Sequence, residues 1–277
     1  MNDTTQRSHL RALVALVTCP ALLPLAACDA VTSKRTTEQI VPVEPGTAVH
    51  VSTQNGWIKV RPGRDGFVSL RAHSRVTALR DGEKRLEQLT VRVSKERGTL
   101  HIRGRHPKDP GQRRFQLSLV VTVPRKSRVS LESDRGYLEV ANLSGDVRGR
   151  TGEGEIRIQD VTGALDLRTG AGNIRATGAF ESLSLETQLG EILVNLTPGS
   201  RLSADCTLLS RRGAVSLSLP PDVPATVTAE SRSGSVSSEA PTQSKRPGWL
   251  RALVAGGGPL VSLVSHRGSV RLRLGRR

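Results

Sequence analysis

The residues best able to do chemistry in this chain are few and scattered. Its six histidines, His9, His50, His73, His101, His106 and His266, form no His-x-x-x-His and no Cys/His pair at metal-ligand spacing. Gly-x-Ser-x-Gly, Gly-x-x-x-x-Gly-Lys and a post-strand Gly-x-Gly-x-x-Gly are all absent. Acids such as Asp160 and Asp166 can be drawn as the general acid and base of a sugar-cleaving site, but such acids are expected on any solvated strand face. Glu155 and Asn173 fall where a calcium-binding nonapeptide roll places Asp, and they supply too few oxygens for an ion that takes about six to eight. The reading is therefore no metal, no cofactor and no catalysis. What does recur is basic: Arg97, Arg135, Arg211, Arg212, Arg232 and Arg267 stand just before glycines. If those glycines mark equivalent turns, the arginines form a ladder facing phosphate or carboxylate groups. The competing reading is a solvated face of an Arg-rich chain, because Glu153, Ala171 and Leu189 interrupt the ladder.

Those glycines belong to a repeat. Ser or Thr, two variable residues and Gly, then x-apolar-x-apolar, occur at Thr53–Gly56, Ser133–Gly136, Thr151–Gly154, Thr169–Gly172, Thr187–Gly190, Ser210–Gly213, Ser231–Gly234 and Ser265–Gly268. Gly98 reads as a looser ninth copy. Gly136, Gly154, Gly172 and Gly190 are 18 residues apart, and Gly145 and Gly163 mark a second corner half a period away. Each unit is two short alternating strands and two Gly corners. One unit cannot bury its apolar face, whereas stacked units share a dry interior. With only 2% aromatics, that interior must be built of Val, Leu, Ile and Ala. The fold class is all-β. The constant period favours a single-chain right-handed β-helix or β-roll-like solenoid of 18-residue Ser/Thr-x-x-Gly repeats. An antiparallel β-sandwich is the alternative. Six steps of about 4.8 Å from the Gly136 unit to the Gly268 unit predict a stack of roughly 29 Å.

The ends are read separately. Arg7 and Arg11 precede an apolar, Pro-broken run, Ala12–Ala27, that is too short to span a bilayer and ends at Cys28. Leu25-Ala26-Ala27-Cys28 resembles the bacterial lipobox, which implies a signal peptide over 1–27, acylation of Cys28 and lipid anchoring to the bacterial cell membrane or outer membrane. An ordinary secretory signal with an incidental Cys is the other reading. Residues 28–45, rich in Thr, Ser, Glu and Pro, read as a tether, and 46–277 as the β-repeat domain. Its first part, 46–128, is irregular, its regular repeats fill 129–277, and an insertion occupies 240–259. Cys206 is then alone, the small semi-buried strand residue one expects of a free cysteine. Removing residues 1–27 lowers the formal net charge only from +16 to +15, so anionic partners are favoured, anionic polysaccharide or lipid head groups, with an envelope protein as a further candidate. Nucleic acid is disfavoured by export and by the lack of stacking aromatics. Within the insertion, Trp249 and Arg251 suit an anionic membrane interface, and a strand or helix closing the stack is the plainer reading.

The stretches "VSTQNGWIKV", "LSLVVTVP", "VSLESDRGYLEVANLSGDVRGRTGEGEIRIQDVTG" and the later Gly units resemble a family of bacterial "putative adhesin" proteins, a β-strand-repeat domain of unknown function, over roughly residues 46–275. The resemblance implies a non-enzymatic, envelope-located adhesion, binding or structural module and supplies no catalytic residues. An envelope-stress sensor or accessory protein binding anionic lipid is one alternative, and a carbohydrate-active β-helix enzyme is another.

Overall fold

The structure is a computed structural model that describes residues 31–78, 80–107 and 114–275. Its strands are β1 (Val31–Pro42), β2 (Ala48–Asn55), β3 (Ile58–Gly63), β4 (Phe67–Ala78), β5 (Thr90–Glu96), β6 (Thr99–Arg105) and β7 (Phe115–Pro124). The repeats supply β8 (Val129–Arg135), β9 (Leu138–Ala141), β10 (Val147–Glu153), β11 (Ile156–Ala171), β12 (Ile174–Leu189), β13 (Ile192–Leu196), β14 (Cys206–Arg212) and β15 (Val215–Leu219). The last six are β16 (Ala225–Ser231), β17 (Val236–Ser238), β18 (Thr242–Arg246), β19 (Trp249–Val254), β20 (Leu260–Ser265) and β21 (Val270–Leu274). One short helix, α1 (Gly82–Leu86), follows β4.

Each repeat unit is a rung with a strand on either side of a glycine corner. Strands leading into the corner pair side by side on one face, in the order β6, β2, β8, β10, β11, β12, β14, β20, β16, all parallel. Strands leaving it pair on the other, in the order β7, β3, β9, β11, β12, β13, β15, β21, β17, again parallel. β11 and β12 each cross from one face to the other, with register shifts in β11 at Gln159/Val161 and Gly163/Ala164. Parallel pairing of equivalent rungs is the solenoid, and it sets the sandwich aside. Among the described residues antiparallel strands appear only at the ends: β4 and β1 beside β7, β5 beside β6, β19 and β18 beside β16. Alternation follows from burial. In β14, for example, Cys206, Leu208 and Ser210 face in while Thr207 and Arg211 face out.

The corner explains the repeat signature. Gly172 has φ +153, and a Cβ there would run into the carbonyl of Gly154 in the neighbouring rung, so both the dihedral and the space require glycine. The hydroxyl three residues earlier does not bond within its own turn. It donates to the neighbouring rung's corner carbonyl: Thr169 to Gly154 O at 3.0 Å, Thr187 to Gly172 O at 2.9 Å and Ser210 to Gly190 O at 2.8 Å. The ladder continues from Ser265 to Gly213 O and from Ser231 to Gly268 O, so Ser231 and Gly268 are neighbours in the stack.

Three expectations need correction. Residues 31–42 are not tether but strand β1, paired along its whole length with β4. Gly98 is no rung corner: with Arg97 (φ 49) and its own φ of 75 it makes the tight turn of the antiparallel β5–β6 hairpin. Finally, chain order is not stacking order. The rung β20–β21 inserts between β14–β15 and β16–β17, just as β2–β3 inserts between β6–β7 and β8–β9. Gly268 therefore lies five steps from Gly136, about 24 Å, and the Gly234 rung lies beyond it. Residues 240–259, read as an insertion, supply the β18–β19 hairpin that flanks β16.

Candidate anion-binding corner

The inserted rung decides where the arginines meet. Ser210 and Ser231 both register on Ser265, so the residues that follow them fall into rows. The His266 N–H donates to Ser210 O at 3.0 Å, the Arg232 N–H to Ser265 O at 3.1 Å and the Gly213 N–H to Arg267 O at 2.9 Å. Arg211, His266 and Arg232 therefore form one row across three adjacent rungs, with Arg212 and Arg267 stacked beside it. Rungs are about 4.8 Å apart, so the row is roughly 10 Å long. All four arginines are exposed and His266 is half-buried. Among the described residues none of the five has an ion pair or a side-chain hydrogen bond. Two unit charges about 5 Å apart repel by about 0.8 kcal/mol even in water. A sulfate, phosphate or carboxylate placed across the row would turn that repulsion into charge-assisted hydrogen bonds.

Trp249 and Arg251 extend the same surface. Trp249 registers on Glu230 and Arg251 on Thr228, one strand beyond Arg232, and the Ser231 N–H donates to Gly248 O at 2.8 Å. The Arg246 guanidinium lies 4.9 Å from the Trp249 ring centroid, a cation–π contact. Glu230 is the acid that β16 contributes to this surface.

The other two arginines lie elsewhere. Arg97 is in the β5–β6 turn, and Arg135 registers between Asn55 and Glu153, with its Nε 3.9 Å from the Glu153 carboxylate. Sequence reasoning missed His266 as a member of this row. His266 occupies the position two before the corner glycine, as Arg211 and Arg232 do, and that shared offset was the available signal.

The proposed acid pair does not assemble. Asp160 is exposed at the Gln159/Val161 register shift of β11 with φ 51, whereas Asp166 lies on the corner-entering face between Arg148 at 3.2 Å and Arg168 at 3.5 Å. Asp166 does border a groove of about 590 Å³ lined by His50, His101, Ser130 and Arg148. His50 and His101 pair there with ring centroids 5.4 Å apart. Burial is the main cause holding His50 below the usual imidazole range, opposed by the Glu132 carboxylate and reinforced by His101 and Arg103. Burial also pushes the Cys206 thiol up. Among the described residues no group of three His, Cys, Asp or Glu side chains is arranged to hold a metal, and no helix is long and apolar enough to cross a membrane.

Fold and corner together define an all-β solenoid-like repeat domain with a basic end. The chain belongs to the Toastrack DUF4097 family, whose model matches residues 49–249. Similar solved structures include a "putative cell adhesion protein" from Clostridium sporogenes, 12% identical, covering 87% of this chain and 100% of its own, with a TM-score of 0.43. A "putative adhesin" from Bacteroides fragilis is 12% identical over 88% of this chain and 98% of its own, at a TM-score of 0.41. A "putative lipid binding protein" from Parabacteroides distasonis is 10% identical over 87% of this chain and 97% of its own, at 0.32. No curated protein matches the chain.

Proposed function

We propose that this protein is a non-enzymatic, exported binding module of the adhesin type, held to the cell envelope by an acyl chain on Cys28 and engaging anionic polysaccharide through its basic corner. The observation that carries the reading is the convergence of Arg211, Arg212, Arg232 and Arg267 on three adjacent rungs, none of them ion-paired among the described residues. Position supports it. Val31 follows Cys28 by three residues and begins β1 at one end of the stack. The basic rungs lie at the other end, since β1 and β17 are ten strand spacings apart, about 48 Å. An anchor at one end leaves the corner facing away from the anchoring membrane.

The test is retention on sulfated and carboxylated polysaccharide columns and on anionic liposomes, for wild type and for the Arg211→Gln, Arg212→Gln, Arg232→Gln, Arg267→Gln variant. Polysaccharide binding that weakens with salt and is lost in the variant supports the reading, and equal binding by both proteins overturns it. A second reading, docking on anionic lipid in an envelope-stress role, rests on Trp249 and its Arg246 contact beside the corner. It requires liposome binding that Trp249→Ala with Arg251→Ala abolishes. Membrane fractionation of wild type beside Cys28→Ala, with protease shaving of intact cells, tests the anchor.

A further inference from the structure

We infer that β1 is a self-recognition edge through which two copies of this chain pair antiparallel about Thr36. β1 pairs with β4 on one side, and among the described residues nothing pairs with its other side. An edge of that length is a template for another strand. Its residues are largely exposed on both faces, with Val31 at 63% and Ile40 at 70%.

The charges on this edge are incomplete in a way that a second copy completes. Lys34 lies directly opposite Arg75 of β4, a like-charge cross-strand pair that costs stability. Neither side chain has an ion pair among the described residues. Four residues on, Glu38 bonds the Arg71 guanidinium at 2.6 Å.

In a two-fold antiparallel pairing that continues the sheet, facing residues must share a face, so their numbers sum to an even value. Only a sum of 72 brings Lys34 opposite the partner's Glu38, and symmetry makes that pair twice. Thr36 then faces the partner's Thr36, Thr32 faces the partner's Ile40, and Val31 faces the partner's Val41. Pro42, which has no N–H to give, falls just outside the paired stretch. Each Lys34 thereby gains the counter-charge that Arg75 denies it. The same Lys34 discourages any strand that lacks an acid at that register, so the edge is selective as well as sticky. Arg35, on the opposite face of β1, is already committed, donating to Leu86 O at 3.0 Å and Leu89 O at 3.1 Å beside α1.

The experiment uses the full chain in membranes and in detergent. Facing residues in antiparallel strands bring Cα atoms to about 4.5–5.5 Å, within disulfide reach, so Thr36→Cys should cross-link to a dimer on mild oxidation. Thr32→Cys should not, because its two copies would be roughly 26 Å apart. Cys206 is buried and stays silent. Lys34→Glu should weaken self-association about tenfold, and Lys34→Glu with Glu38→Lys should restore it, since the swap preserves both intermolecular pairs. A monomeric wild type, a Thr32→Cys cross-link as strong as that at Thr36, or a double variant no better than Lys34→Glu would each overturn the proposal.

Discussion

Replacing Thr187 by Val isolates the hydroxyl ladder, because the two side chains have nearly the same shape. Thr187 is fully buried, and its hydroxyl donates to Gly172 O at 2.9 Å. The Gly172 carbonyl receives no backbone donor outside the strand ladders, since Gly190 N–H goes to Arg212 O and Ile174 N–H to Glu191 O. Deleting the hydroxyl leaves that acceptor without its partner, at a cost of about 1–3 kcal/mol. For a domain of this size the loss should lower Tm by roughly 2–12 °C. Thermal unfolding followed by circular dichroism measures it, with two comparisons. Thr187→Ser keeps the donor and should recover most of the loss, while Thr207→Val on the exposed side of β14 should change Tm by no more than about 1–2 °C. If Thr187→Val were as stable as wild type, or no worse than Thr207→Val, the hydroxyls would be ornaments of the corner rather than links between rungs.

Gly172→Ala should be worse, because the Cβ meets the backbone of the adjacent rung at φ +153; a soluble, cooperatively folding variant with wild-type Tm would refute the packing argument. His50 and His106 are both held below the ordinary imidazole pKa of 6.5, chiefly by burial. The unfolded chain thus takes up more protons as pH falls below that value, and stability should fall with it. A His50→Gln, His106→Gln variant should flatten the slope of Tm between pH 7.5 and roughly pH 5, and an unchanged slope would sink this assignment. Cys206, with its thiol pKa raised by burial, should react with a thiol reagent at pH 8 only after denaturation, which a labelling time course checks.

The repeat, the all-β class and the glycine corners were legible because each rests on local chemistry: alternation for burial, and Gly where φ and space demand it. The arginine cluster was only half legible. Arg211, Arg212, Arg232 and Arg267 carried the correct offset from their glycines, but their adjacency depends on β20 entering between β14 and β16, which no local signal announces. The same limit hid β1. Thr32 to Gln39 alternate too weakly to read as strand, because β1 lies at an edge with both faces largely in water and its structure comes from pairing with β4. Arg97 failed for a different reason: a Gly after Arg suits a hairpin turn as well as a rung corner.

The inserted rung also reverses the usual expectation for a repeat protein, in which the last unit in the chain is the outermost and the most dispensable. Here the C-terminal strands β20 and β21 lie inside the stack, flanked on both sides by β14 and β16 and by β15 and β17. Val261, Leu263, Val270 and Leu272 are each fully buried. At about 1.5–3 kcal/mol per buried aliphatic side chain, their loss removes roughly 6–12 kcal/mol, comparable to the whole stability of a typical domain. Ending the chain at Gly258 should therefore unfold more than its own rung, since β16, β17 and the β18–β19 hairpin keep no neighbour on the β14 side. Limited proteolysis and circular dichroism of that truncation should show loss of everything beyond β15, leaving Arg211 and Arg212 of β14 without the rest of the basic corner. A truncated chain that kept β16 to β19 protected and melted near the wild-type temperature would mean that β16 can close onto β14 directly, and that the inserted rung is an addition to the fold and not its keystone.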